Sequence, residues 1–333
     1  MAWWLIRLTL KVVGWGLSLV GAVGLLLAAM IATPLGHLGE LTSVSRTARA
    51  VDRSTMPPLT RFSARDGSVL AFRHYPARGP SSGRIAILVH GSSGSSVAVH
   101  ALADALAARG VETYAPDIRG HGASGNRGDV GFIGQLDNDL EDLVALIRKT
   151  TPSEPLTLLG HSAGGGFVLR VASSPIQGLF ARSVLLAPYL GYDAPTNRPD
   201  SGGWAKPDIP RFLALSALHR LGIDCCEALP TLAFAVPANS QSILVPAYSY
   251  RLMRNFATRG YRSDLAAAHH PITLISGADD ELMLADKYAD AVHAVAPSVE
   301  VKLIDGVNHM GIVSDAKAVS AIAEDVASAR TGS

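Results

Sequence analysis

The hydrophobic and polar positions divide this chain into regions of different texture. Residues 12–32 carry no charge over 21 positions. A helix of that length crosses a hydrocarbon core of ~30 Å. Beyond residue 80 the apolar runs become short: "IAILV" at 85–89, "LTLLG" at 156–160, "ITLIS" at 272–276 and "VEVKLI" at 299–304. Runs of this length bounded by Gly, Pro or Asp read as buried strands. "VETYAPD" and "ARSVLLAP" extend the set. Between them the period changes to that of a helix. Val99, Leu102, Ala105 and Leu106 share one stripe, as do Leu140, Leu143, Val144 and Ile147. Asp137 and Asp139 suit the first turn of the second helix. A last helix holds Val319, Ile322 and Val326. Strands alternating with helices predict an α/β fold, with a largely parallel sheet covered on both faces.

Two stretches break that rhythm. Around Asp66-Gly67 the alternating residues predict a β-hairpin. Between Tyr189 and His270, about 80 residues separate two sheet strands, too many for an ordinary loop. This interval is expected to form a helical cap over the site. "IPRFLALSALHRL" is its clearest helix, and Phe212, Leu213, Leu215, Leu218 and Leu221 are its apolar residues. Part of that set is expected to pack on the main domain, and part to line an apolar substrate pocket. The expected layout is a membrane anchor at 1–36, a polar linker at 37–58, a catalytic core at 59–188, the cap at 189–270, and the rest of the core at 271–333.

The first 36 residues contain only two charges, Arg7 and Lys11, with Trp3, Trp4 and Trp15 suited to a membrane interface. A single-pass anchor is preferred over a cleaved signal peptide, because the apolar core exceeds the usual ~7–15 residues. A buried globular helix is the third reading. Arg7 and Lys11 place the N-terminus in the cytoplasm and the main domain outside it, against an opposing pull from Arg46, Arg49 and Arg53. Cleavage would instead yield a secreted protein.

Composition changes the picture little. The chain has 333 residues, 17% of them charged, and a formal net charge of +1. Without long basic runs, nucleic acid is not an expected partner. Cys225 and Cys226 are the only cysteines and are adjacent. They read as free thiols, with a vicinal disulfide as the alternative in an oxidising compartment. Oligomeric state is not legible.

The chemistry is concentrated in three strand ends. Gly160-His161-Ser162-Ala163-Gly164 matches G-x-S-x-G, with an apolar strand before it and an apolar helical pattern after it. The turn exposes Ser162 at the sheet edge where parallel sheets place ligands. A serine hydroxyl needs a base. His309, in a loop after the last strand, is expected to be that base. His161 is tied to the turn, and His269 and His270 are expected to be structural or pocket-lining. The orienting acid is expected after "ITLIS", where Asp279, Asp280 and Glu281 follow; the residues themselves leave Asp279 and Asp280 open. Backbone N–H groups of Ser92 and Ala163 are expected to hold the oxyanion, with the Ser92 hydroxyl assisting.

Together, "LVHGSSG", "APDIRGHGASG", "LLGHSAGGGFVLR", "ISGADD" and "NHMG" resemble the α/β-hydrolase superfamily, in its monoacylglycerol lipase and lysophospholipase-like branch. The likeness covers roughly 60–327. It implies an α/β-hydrolase fold, and it places the acid at the fourth position of a Gly-x-x-Asp turn, hence Asp280. It also implies that Asp117, Arg119 and His121 build a loop rather than do chemistry. The vicinal cysteines and the cap sequence depart from the family pattern. The expected activity is serine hydrolysis of a carboxylic ester with an acyl chain of medium length, without metal or organic cofactor. Amide or peptide hydrolysis, acyl transfer and carbon–carbon bond hydrolysis share the triad. Ser162 argues against halide or epoxide chemistry, which uses an acid at this turn. A non-catalytic binding protein is the alternative from a different class.

Overall fold

The computed structural model describes residues 2–237 and 243–328. The chain begins with α1 (Ala2–Ile31), a helix about 45 Å long. It is long and apolar enough to cross a membrane, and no part of its most apolar window is buried by the rest of the chain. A short helix α2 (Thr42–Arg49) follows, within the stretch expected to be a polar linker.

The hairpin β1 (Leu59–Ser63) and β2 (Val69–Tyr75) turns at Asp66-Gly67 and leads to β3 (Arg84–Val89). Then come α3 (His100–Ala108), β4 (Val111–Asp117), α4 (Gln135–Ile147), β5 (Leu156–His161), α5 (Ala163–Ala172) and β6 (Arg182–Leu186). The 189–270 insertion holds β7 (Ala205–Pro207), α6 (Ile209–Arg220), β8 (Pro230–Phe234), β9 (Ala247–Ser249), α7 (Tyr250–Asn255) and α8 (Tyr261–Ala267). The chain returns through β10 (Ile272–Gly277), α9 (Tyr288–His293), β11 (Glu300–Ile304) and α10 (Ala316–Ser328).

The large sheet runs β1-β2-β4-β3-β5-β6-β10-β11. β1, β2 and β4 are joined by antiparallel pairings, and all later neighbours are parallel. Its central strands are buried on both faces: all six residues of β5 are buried, as are all of β10. Strands covered by helices on both sides need this continuous apolar character. The parallel strands bring the C-terminal ends of β3, β5, β10 and β11 to one edge of the sheet.

The insertion is not purely helical. β7, β8 and β9 form a separate three-stranded antiparallel sheet. Strands of three to five residues with prolines at their ends are too short to show alternation. The apolar side chains of α6 also go elsewhere than expected. None of Phe212, Leu213, Leu215, Leu218 and Leu221 lines the cavity at Ser162. Instead α6 packs on the C-terminal part of α1. The apolar residues of α6 divide: Leu215 is buried, the Phe212 ring packs against Tyr250 at 5.5 Å, and Leu213 and Leu221 are exposed.

The α1–α6 junction is polar at its centre. Asp208 caps α6 by accepting from the Arg211 N–H at 3.1 Å, and also accepts from the Thr33 hydroxyl at 2.9 Å. The Arg211 guanidinium donates to the carbonyls of Ile31 (2.9 Å), Pro230 (2.6 Å) and Thr33. The last carbonyls of a helix lack partners within it. Arg211 supplies one at the end of α1 and joins it to the insertion.

Candidate active site

β5 delivers Ser162 through a sharp turn. Ser162 has φ 55° and ψ −118°, between the last strand residue, His161, and the first helical residue, Ala163. A non-glycine residue at positive φ is strained, and such strain is concentrated at functional sites. The flanking glycines are a steric requirement. A Cβ on Gly160 would lie 2.2 Å from the Gly164 carbonyl oxygen, and one on Gly164 would lie 2.4 Å from the His90 carbonyl oxygen. The backbone at Ser162 is pinned by its N–H donating to Leu186 O at 2.9 Å, while its carbonyl accepts from Gly166 and Tyr189.

Asp280 follows β10 and is buried, with 1% of its surface exposed. One carboxylate oxygen accepts from the backbone N–H groups of Leu282 and Met283, both at 2.8 Å. The other lies 2.8 Å from His309 Nδ1. Burial alone would raise the carboxyl pKa. The charge and hydrogen bond of His309 and the two backbone donors outweigh it and hold the group below the usual carboxylate range. Asp279 is exposed and faces away, its backbone N–H bonded to Val307 O.

His309 lies in the loop after β11, itself 2% exposed. Ser162 and His309 line one cavity of about 270 Å³. Two further residues hold the His309 backbone. Glu281 accepts from its N–H at 2.9 Å, and His161 Nε2 donates to its carbonyl at 3.0 Å. The His161 and His309 rings lie 4.8 Å apart. Complete burial, aided by the nearby His309, lowers the His161 pKa to about 3. His161 is therefore a neutral donor that braces the histidine loop. Its place beside Ser162 was visible in the sequence; its partner 148 residues away was not. Glu281, the third of the adjacent acids after β10, holds the backbone of His309 and not its ring.

Ser92 lines the cavity, and Ala163 directly follows Ser162. The Ser92 hydroxyl accepts from Trp204 Nε1 at 2.9 Å. Ala163 opens α5, where the N–H groups of the first turn have no intrahelical acceptor. Next to Ser92, the Ser93 N–H is already donated to Tyr248 Oη at 2.7 Å, and Ser93 Oγ donates to Val245 O at 2.6 Å. These bonds tie the β3 loop to the insertion. Trp204 and Tyr248 are 112 and 155 residues from the groups they contact, so no local pattern announces them.

The other expected residues lie apart. His269 is exposed, and His270 Nε2 lies 2.8 Å from Ser183 Oγ; neither lines the cavity. Asp117 accepts from Ser96 N and Ala123 N, Arg119 pairs with Asp66 and Asp139, and His121 lies 2.6 Å from Tyr248 Oη. Cys225 and Cys226 are free thiols 3.0 Å apart. Among the described residues, His219, Asp224 and Glu227 gather potential ligand atoms within 4.8 Å, and none of the three lines the cavity.

The rest of the cavity is mainly apolar. The insertion contributes Trp204, Ala235, Val236, Ile243 and Leu244, the acid loop Leu282, and α2 adds Val44 and Ala48.

Sequence and structure comparisons agree with this architecture. The yeast monoglyceride lipase (Saccharomyces cerevisiae) is 26% identical over 283 residues, 77% of this chain and 87% of that protein. The human monoglyceride lipase is 32% identical over 153 residues, 45% of this chain and 48% of that protein. The crystal structure of a soluble variant of the yeast enzyme with a substrate analog matches at a TM-score of 0.62 and 19% identity, covering 83% of this chain and 95% of that one. The monoacylglycerol lipase of Paleococcus ferrophilus matches at a TM-score of 0.58 and 16% identity, covering 78% and 98%. The family profile described as serine aminopeptidase, S33 (Hydrolase_4) matches residues 80–315. The chain belongs to that family, as an α/β-hydrolase similar to the monoglyceride lipases.

Proposed function

We infer that this protein is a carboxylic ester hydrolase acting on lipid-like esters, such as a monoacylglycerol or lysophospholipid, through a Ser162–His309–Asp280 triad. Ser162 Oγ attacks the ester carbonyl carbon while His309 Nε2 takes its proton. The N–H groups of Ser92 and Ala163 stabilise the oxyanion of the tetrahedral intermediate. Collapse breaks the bond to the alcohol, which leaves with the proton from His309. Water, deprotonated by His309, then cleaves the acyl-enzyme and frees the acid. Asp280 holds His309 in the tautomer with its proton on Nδ1 and stabilises the imidazolium. This chemistry calls for no metal or organic cofactor.

The observation that carries the reading is the shared cavity. Ser162 and His309 open into an apolar space, and His309 Nδ1 lies 2.8 Å from a buried carboxylate. An aminopeptidase would need a carboxylate to receive a free ammonium group. Among the described residues that line the cavity there is no Asp or Glu, while Arg49 and Arg53 stand at its wall. The wall therefore favours a neutral or anionic ester over a peptide amine.

The same reading treats residues 1–36 as a single-pass anchor with the N-terminus in the cytoplasm, 37–58 as the connection, 59–188 and 271–333 as the core, and 189–270 as the cap. It keeps a lipid hydrolase beside its substrate's membrane. The test compares purified full-length protein on an ester and an amide with the same acyl group. Ester turnover exceeding amide turnover supports the reading; amide turnover without ester turnover overturns it.

A further inference from the structure

We propose that α2 is a specificity element, a wall of the substrate cavity that limits the length of the apolar chain lying over Ser162. The proposal rests on the ester-hydrolase reading of that cavity.

The family match begins at residue 80, so the 37–58 segment lies outside it. Yet this segment is built into the site. Its path from the anchor is fixed at both ends. Leu41 N–H donates to Ala235 O in the insertion at 3.1 Å, and Asn308 Nδ2, next to His309, donates to Thr47 Oγ1 at 3.2 Å. Val44 and Ala48 stand four residues apart beside these ties and so share one helical face. Val44 is 6% exposed and belongs to the main core cluster, with Ala48 packed against it. Both line the cavity that Ser162 and His309 also line.

The opposite face of α2 is polar. Ser43 and Arg46 are exposed there, while Arg49, which also reaches the cavity wall, pairs with Glu40 at 2.5 Å. An isolated eight-residue helix is marginal in water, so its order here depends on the docked Val44–Ala48 face. That face meets the apolar core on one side and the cavity on the other. A helix placed in this way closes one side of the space available to a substrate chain, and the side chains at positions 44 and 48 set how far that space extends.

The test uses full-length protein in detergent with p-nitrophenyl esters from acetate to dodecanoate. Val44→Trp and Ala48→Phe should move the optimum to shorter chains. Each methylene shut out should cost about fourfold in relative kcat/KM, so the decanoate-to-butyrate ratio should fall at least ~tenfold. Val44→Ala should move the optimum toward longer chains. Labelling of Ser162 by a small fluorophosphonate, together with an unchanged thermal midpoint, identifies the folded variants. An unchanged chain-length profile in folded variants of both positions, with active wild type, overturns the wall alone. Wild-type protein inert toward every ester overturns the ester reading, and the wall falls with it.

Discussion

His309 Nδ1 lies 2.8 Å from Asp280 Oδ2, while Asp279, one residue earlier, is exposed and bonded elsewhere. The two carboxylates are adjacent in sequence and opposite in environment. Asp280→Asn keeps the shape but removes the acceptor that selects the His309 tautomer. It should lower kcat by about 10³–10⁴-fold. Asp279→Asn should leave kcat within about twofold. Steady-state kinetics on one ester decides the pair, and the reverse order of effects would reassign the acid.

His161 makes acid stability informative. Its folded pKa, about 3, lies below the ~6.5 of an unfolded histidine. Between those values the unfolded chain binds the extra proton, so stability falls as pH drops from about 6.5 to about 3, and His161 contributes no slope above that window. The buried His90 and His121 are lowered too, mainly by burial, and add to the same slope. His161→Gln should flatten the dependence by up to one proton, about 1.4 kcal/mol per pH unit. Thermal midpoints from pH 7 to pH 4 measure this. A slope identical to wild type would show that His161 titrates normally.

How much of this was legible beforehand depended on whether a residue's partner was local. The Ser162 turn could be read because strand, glycines and helix are contiguous; Gly160 is crowded by nearby Gly164, whereas Gly164 is crowded by the His90 carbonyl just after β3, which no local pattern shows. The alternating strands and helices were read on the same basis. Asp279 and Asp280 could not be separated by pattern, because the path of the turn after β10 decides which carboxylate points inward. The sequence "TSVSRTAR" offers only Val44 and Ala48 as apolar residues, so it has the texture of a linker, and their value appears only once a cavity lies beneath them. The α6 apolar residues could not be sorted by periodicity, because the long-range path of the chain decides that Leu215 is buried while Leu213 and Leu221 stay exposed.

Arg211 should be worth more than any surface ion pair. It and Asp208 are each 8% exposed, and its guanidinium serves three carbonyls at the α1–α6 junction. Arg211→Ala leaves Asp208 buried without its charge partner and should cost roughly 3–5 kcal/mol. Arg211→Lys, with a single ammonium, should recover only part of this. Arg78→Ala, which breaks a half-exposed pair with Asp104, should cost under ~1 kcal/mol. Denaturant melts of the detergent-solubilised protein rank the three, and equal losses for Arg211→Ala and Arg78→Ala would refute the junction's importance.

Gly160 has no room for a methyl group. Gly160→Ala would press a Cβ against the Gly164 carbonyl at 2.2 Å and the Val168 side chain at 2.7 Å. Relief requires moving the backbone that presents Ser162. The variant should lose several kcal/mol of stability, beyond the usual range for a point substitution. Gly178→Ala, where nothing lies within 4 Å of the new Cβ, is the control and should stay near wild type. Thermal midpoints of both variants test the difference.

Passage of an acyl group through Ser162 is the step on which the proposed hydrolysis depends. Mass spectrometry of protein quenched during turnover of a p-nitrophenyl ester tests it most directly. The peptide containing Ser162 should gain the mass of the acyl group in wild type and not in Ser162→Ala, whose turnover should fall by at least ~10³-fold. A Ser162→Ala protein that is folded and hydrolyses the ester at near wild-type rate would contradict it.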